Sequence, residues 1–123
     1  MTGVLLSDDL IFTSRITGTG RDLGCAIRVA KTADALLALA RQDPPACAII
    51  DLHNPGLNIT ELVAALKQLS PPPTVIGYGS HVDTATLKAA RTAGCDRVLP
   101  RSQFVEELPA ELPRWMGTMK VVG

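Results

Sequence analysis

The sequence predicts an α/β domain with one five-stranded parallel sheet and helices on both faces. Short apolar runs and helical repeats alternate five times along the 123 residues, and parallel neighbours need right-handed helical crossovers. The runs Val4–Leu6 and Ala48–Ile50 are apolar without interruption, as strands buried on both faces require. Acidic residues close two of the runs, Asp8 and Asp9 after the first and Asp51 after the third. In neighbouring parallel strands these carboxylates meet at the carboxyl edge, where open α/β sheets bind ligands.

Val4–Ser7 reads as the first strand, followed by helical spacing from about Leu10 to Leu23. Gly18 and Gly20 weaken the second half of that helix, each by roughly 1 kcal/mol against alanine. Cys25–Ala30 alternates like a strand. Thr32 can cap a helix over Ala33–Gln42, whose Leu36, Leu37 and Leu39 form an apolar stripe suited to core packing. Pro44 and Pro45 break the chain before the strand Cys47–Leu52. Asn54-Pro55-Gly56 marks a turn, and Asn58 or Thr60 can cap the helix Glu61–Leu69. After Pro71-Pro72-Pro73 comes the strand Thr74–Tyr78, and Asp83 or Thr84 caps an alanine-rich helix ending at Gly94. Arg97–Leu99 is the last strand. A short final helix, Phe104–Leu112, is interrupted by Pro109, and 113–123 reads as a loosely packed tail containing Trp115-Met116-Gly117.

Apolar residues make up 46% and charged residues 20% of the chain, with zero formal net charge. Such a composition supports one folded domain and excludes disorder driven by charge. Neutrality gives no bulk attraction to nucleic acid or anionic membrane. The N-terminal residues lack a signal-peptide pattern and no apolar stretch approaches the roughly 20 residues of a membrane span, so a cytoplasmic location is expected. Cys25, Cys47 and Cys95 lie far apart among small or apolar residues and read as space-fillers. His53 and His81 have no companion at metal-ligand spacing and read as solvated loop residues. Gly18-Thr19-Gly20 follows a helix rather than a strand, which excludes a glycine-rich phosphate loop.

Three clustered carboxylates repel one another unless a cation sits among them, and oxygen-only ligands suit a hard ion such as Mg²⁺. The competing reading of Asp8 and Asp9 is helix N-capping, and that of Asp51 a solvated strand end.

Three segments together resemble the receiver domain of bacterial response regulators, the CheY-like branch of the flavodoxin-like folds. They are Val4-Leu5-Leu6-Ser7-Asp8-Asp9, Ile49-Ile50-Asp51-Leu52-His53-Asn54-Pro55-Gly56 and Ala93-Gly94-Cys95-Asp96-Arg97-Val98-Leu99, and the resemblance covers about residues 3 to 112. It implies a three-layer sandwich in which Asp51 accepts a phosphoryl group from a histidine kinase, a phosphotransfer protein or a small phosphodonor. It also implies Mg²⁺ held by Asp8, Asp9, Asp51 and the backbone carbonyl of His53. Phosphoryl transfer is mostly positioning and charge stabilisation, which such a metal supplies.

Two positions depart from that pattern. The Ser or Thr usual at the end of the fourth strand falls by spacing on Gly79, with Ser80 one residue later. The usual Lys-Pro pair falls on Arg101-Ser102. Arginine pairs with phosphate but is no geometric stand-in for lysine, although it can instead pair with Asp51 or Asp9. Without a proline at 102 that peptide is expected to be trans, and Leu99–Pro100 is the other candidate for a cis bond. Val98 stands where an aromatic switch residue is common, and Tyr78 does not replace it by position. The acceptor half of the site is therefore expected intact and the read-out half altered.

The expected output is protein–protein contact, with an unknown downstream partner or a second copy, through the fourth helix, last strand and last helix. A phosphate-independent interaction domain is the first alternative. A flavin or small-ligand binder is the second, disfavoured because Asp8 and Asp9 would repel a phosphate. A hydrolase lacks a nucleophile with an evident histidine partner.

Overall fold

The structure, a computed structural model, describes residues 2–117. The strands β1 (Thr2–Leu6), β2 (Ala26–Ala30), β3 (Cys47–Asp51), β4 (Thr74–Gly79) and β5 (Arg97–Pro100) alternate with five helices. These are α1 (Leu10–Asp22), α2 (Ala33–Gln42), α3 (Ile59–Lys67), α4 (Thr84–Ala93) and α5 (Arg101–Trp115). All strands run parallel in the order β2-β1-β3-β4-β5. β1 and β3 are therefore neighbours, and their carboxyl ends open on one edge of the sheet.

Alternation along the strands feeds two cores. Val4, Leu6, Ala48, Ile50 and Val75 pack against Leu36 of α2, Leu62 and Leu66 of α3, and Leu87 of α4. Leu5, Ile49, Ile76 and Tyr78 face the other way, against Ile16 of α1 and Phe104, Leu108 and Leu112 of α5. The period of two in a strand sorts consecutive residues between the faces. Among the described residues, no helix is long and apolar enough to cross a membrane.

Asp9, Thr32, Asn58 and Asp83 cap the first four helices, each side chain accepting a backbone N–H three residues on. This decides for Asn58 over Thr60 and for Asp83 over Thr84. Gly94, at φ 105, ends α4 in the left-handed conformation that costs glycine least.

Helix α1 runs through both glycines, and Gly20 lets it approach β2: a Cβ there would lie 2.8 Å from Ile27 Cδ1 and 3.0 Å from the Cys25 carbonyl. Three expectations are corrected. Helix α5 begins three residues earlier than expected and passes through Pro109 to Trp115. Its buried Phe104, Leu108, Leu112 and Trp115 recur on one face while Pro109 is exposed, so packing outweighs the lost hydrogen bond. Nor is the chain loosely packed after Pro113: Trp115 and Met116 are buried, with Cys47 Sγ 3.3 Å from Met116 Sδ. The remainder of the expected tail, 118–123, lies outside the described residues. The cis peptide found is Ser70–Pro71 rather than Leu99–Pro100. β5 passes into α5 with no connecting residue, and Pro100 offers α5 no side-chain cap.

Candidate functional site

β1 and β3 deliver the acidic residues to the same sheet edge, since Leu6 pairs with Ile50 one residue before Asp51. Asp51 is only 5% exposed, and its Oδ1 accepts the His53 N–H at 2.9 Å. Asp9 is half-buried, and its Oδ1 accepts the Phe12 N–H at 3.0 Å as the cap of α1. Capping is thus real for Asp9, and it engages one of its two oxygens. Asp8 is exposed. Buried Ser7 accepts the Asp9 N–H at 3.2 Å, which fixes the turn between strand and helix.

The donor set fits a hard divalent ion in its chemistry. All candidate ligands are oxygens, and among the described residues no ion pair includes Asp8, Asp9 or Asp51. A buried carboxylate without a cation needs compensation from somewhere. The side chains are not gathered, however: among the described residues no three His, Cys, Asp or Glu groups converge as a metal cluster.

The register sets the end of β4 against β3 on one side and β5 on the other. Asp51 pairs with Tyr78, whereas Gly79 pairs with Pro100. Gly79 faces His53, since a Cβ on it would lie 3.1 Å from His53 Nε2. Ser80 uses its N–H to donate to that same nitrogen at 2.9 Å, while its Oγ accepts the Val82 N–H at 3.4 Å. The hydroxyl-bearing neighbour of Asp51 in the sheet is Tyr78.

His53 is not a free loop residue. Its Nε2 accepts from Ser80, so the neutral ring carries its proton on Nδ1, which lies 4.0 Å from Asp83 Oδ2. The imidazole ties the loop after β3 to the loop after β4. Hydrogen bonds from the Thr86 hydroxyl and then the Thr86 N–H hold the Asp83 carboxyl below its ordinary range; burial opposes this, and His53 adds to it.

The four aromatic side chains form one stack. Tyr78 lies 5.4 Å from Phe12 and 4.6 Å from Phe104, and Phe104 lies 5.8 Å from Trp115. Arg101 does not lie across Asp51 or Asp9. Its Cζ sits 5.1 Å from the Phe12 ring centre, a cation–π contact. Arg101 Nε is a buried donor without a hydrogen-bond partner, whereas the Tyr78 hydroxyl lies within reach of the Ser7 hydroxyl. An unmet buried donor costs about 1–3 kcal/mol. Burial first and the Asp51 charge second push the Tyr78 phenol well above its ordinary pKa, with Asp9 adding; the Ser7 hydroxyl and Arg101 oppose.

Beside this corner opens a cleft of about 500 Å³, lined by Phe12, Arg15, Ser80, His81 and Arg101 among others. None of the three aspartates lines it. Two arginines thus border this cleft.

No protein-family profile and no curated protein matches the sequence. Solved structures do match in fold. The receiver domain of NtrX from Brucella abortus is 22% identical, with 97% of this chain and 100% of that one covered at a TM-score of 0.78. A putative response regulator from Chloroflexus aurantiacus is 19% identical over 94% and 97% of the two chains, at 0.80. The Mn²⁺-bound form of response regulator Rcp1 is 14% identical over 99% of each, at 0.75. In a longer NtrX chain from Brucella abortus, solved with ADP, the match is 21% identical at a TM-score of 0.79; it takes in 99% of this chain but 30% of that one. This chain therefore has the CheY-like, flavodoxin-like fold of response-regulator receiver domains.

Proposed function

We propose that the chain is a receiver-like signalling module of a two-component or phosphorelay system, acting by protein–protein contact. The observation that carries this reading is Asp51: a buried carboxylate with no ion-pair partner among the described residues, at the carboxyl edge of a receiver-type sheet, next to the strand that brings Asp8 and Asp9. A histidine kinase, a phosphotransfer protein or a small phosphodonor supplies the phosphoryl group.

In the transfer, Asp51 Oδ2, the oxygen not engaged by the His53 N–H, attacks phosphorus. The bond from phosphorus to the donor's imidazole nitrogen or acyl oxygen breaks, and its electron pair leaves with the donor. Asp51 becomes an acyl phosphate. Mg²⁺, held by Asp8, Asp9, Asp51 and the His53 carbonyl, would offset charge as it develops on the phosphoryl oxygens. Arg15 and Arg101 border a neighbouring cleft and would attract an anionic donor to this side of the domain. Output passes to a downstream protein or a second copy through α4, β5 and α5, in the cytoplasm, without a nucleic-acid or membrane contact of its own.

Incubation with acetyl phosphate and Mg²⁺, followed by intact-mass measurement, tests the reading. Wild type is expected to gain the mass of one phosphoryl group, and neither Asp51→Asn nor a chelator-treated sample should. The scattered carboxylates favour one second reading, a phosphate-independent interaction domain. No mass gain on wild type would leave that reading standing alone.

A further inference from the structure

The cleft beside the aromatic stack is built from three separate parts of the chain. Helix α1 supplies Phe12 and Arg15, the loop after β4 supplies Ser80 and His81, and the start of α5 supplies Arg101, Ser102 and Val105. Its volume of about 500 Å³ falls within the roughly 300–1,000 Å³ of small-molecule pockets and is too large for an inorganic ion alone.

The lining is one-sided in charge. It holds two guanidinium groups and an imidazole, and no carboxylate. Among the described residues neither Arg15 nor Arg101 has an ion-pair partner. In a chain of zero formal net charge, two unpaired arginines on one hollow are a local bias and not a bulk effect. Arg101 is also held in place: its guanidinium rests on Phe12, while its Nε is buried without an acceptor. Leaving such a donor unmet is unfavourable, and an acceptor oxygen entering beside Arg101 would relieve it.

Helix α5 adds to the same bias. Side chains cap the other four helices, but Pro100 gives α5 none. The partial positive charge of its first turn, at Arg101 and Ser102, is therefore left for another acceptor. Phe12 and Val105 supply apolar surface, and Ser80 and Ser102 supply hydroxyls. Ligand pockets combine such surface with a few convergent polar groups.

We propose that this cleft binds a small organic anion, a compact apolar body carrying one carboxylate, sulfonate or phosphate head, with the head on Arg101 and Arg15 and the body against Phe12 and Val105. Binding is non-covalent and does not require Asp51 to accept a phosphoryl group, since none of the three aspartates lines the cleft. Because α1, the loop after β4 and α5 all contribute, an occupant ties the pivot of α5 to both of the others. The site gives the module a second input, set by the concentration of a small molecule.

Titration with anilinonaphthalene sulfonate, followed by its fluorescence, tests the proposal. Phenylnaphthylamine, the same body without the sulfonate, is the neutral control. Wild type is expected to bind the sulfonate saturably, roughly tenfold more tightly than the neutral probe, with amide NMR shifts at Ser80, Ser102 and Val105. Arg101→Gln should weaken the sulfonate roughly tenfold, as for loss of one hydrogen bond between charged groups, and leave the neutral probe unchanged. Arg15→Gln, at an exposed position, should weaken it about threefold and keeps the test open if Arg101→Gln fails to fold. Asp51→Asn should bind at least as well as wild type. Equal affinities for the two probes, or for wild type and the arginine variants, would overturn the proposal. So would a loss in Asp51→Asn matching that in Arg101→Gln, which would place the probe at the acceptor edge. Absence of saturable sulfonate binding to wild type would overturn it outright and leave the acetyl phosphate result untouched.

Discussion

Gly79 leaves the room that the His53 imidazole occupies, and His53 in turn receives the Ser80 N–H. A hydroxyl introduced by Gly79→Ser would therefore meet His53 rather than anything held on Asp51. The substitution is expected to displace the imidazole, cost about 1 kcal/mol through the lost hydrogen bond, and leave beryllofluoride affinity without any gain. Urea unfolding and fluorine NMR check the two parts. The acidic residues were legible in the sequence because a strand's end can be read locally, from where the apolar run stops. The hydroxyl was not. Which residue stands opposite Asp51 depends on pairing between β3 and β4, and a one-residue slip exchanges the two faces of a strand. Here the register sets Tyr78 opposite Asp51. Arg101 was named from the sequence, but its rest on Phe12 depends on how α1 meets α5, which no local pattern encodes.

Helix α1 separates two effects that the sequence presents as one. Gly18 has nothing within 4 Å of a built Cβ, whereas Gly20 would press on Ile27 and on the Cys25 carbonyl. Gly18→Ala is expected to stabilise by about 0.5–1 kcal/mol through helix propensity. Gly20→Ala should destabilise by about 1–3 kcal/mol, because overpacking against backbone exceeds the propensity gain. Opposite shifts of the urea midpoint confirm the pair; shifts of the same sign contradict the close approach. Helix α2 was legible to the residue because its cap and apolar stripe are both local. Helix α5 was read too short at both ends. Its prolines argue for a break, and only the buried face formed with the sheet decides otherwise.

Over the whole molecule, alternation of strand and helix was enough to fix the layers, since parallel strands leave few ways to connect. The same burial that makes both cores dry creates a pH dependence. The Cys47 thiol is pushed up to about 12, by burial first and then by Cys25. Cys95 rises to about 11, by burial and then by Asp96, with Lys67 opposing. Tyr78 shifts in the same direction. Below about pH 9 folded and unfolded chains both keep the thiol protons, and this contribution to stability is complete. Above that pH the unfolded chain releases them while the folded chain holds them, so stability falls as pH rises towards the folded values. The urea midpoint is expected to drop between about pH 9 and pH 10.5, and Cys47→Ala should make the decline shallower. An unchanged slope in that variant would remove Cys47 as the source.

The direct passage of β5 into α5 has a mechanical consequence. With no spare residue between Pro100 and Arg101, the helix cannot swivel independently of the strand that feeds it. It behaves as a lever about 22 Å long, from its 15 residues, pivoted at the carboxyl edge of the sheet. A tilt of about 5° at Arg101 would carry the Trp115 end by about 2 Å, by the same helix dimensions. Movement too small to notice at the pivot would be large enough at the tip to remake a protein surface.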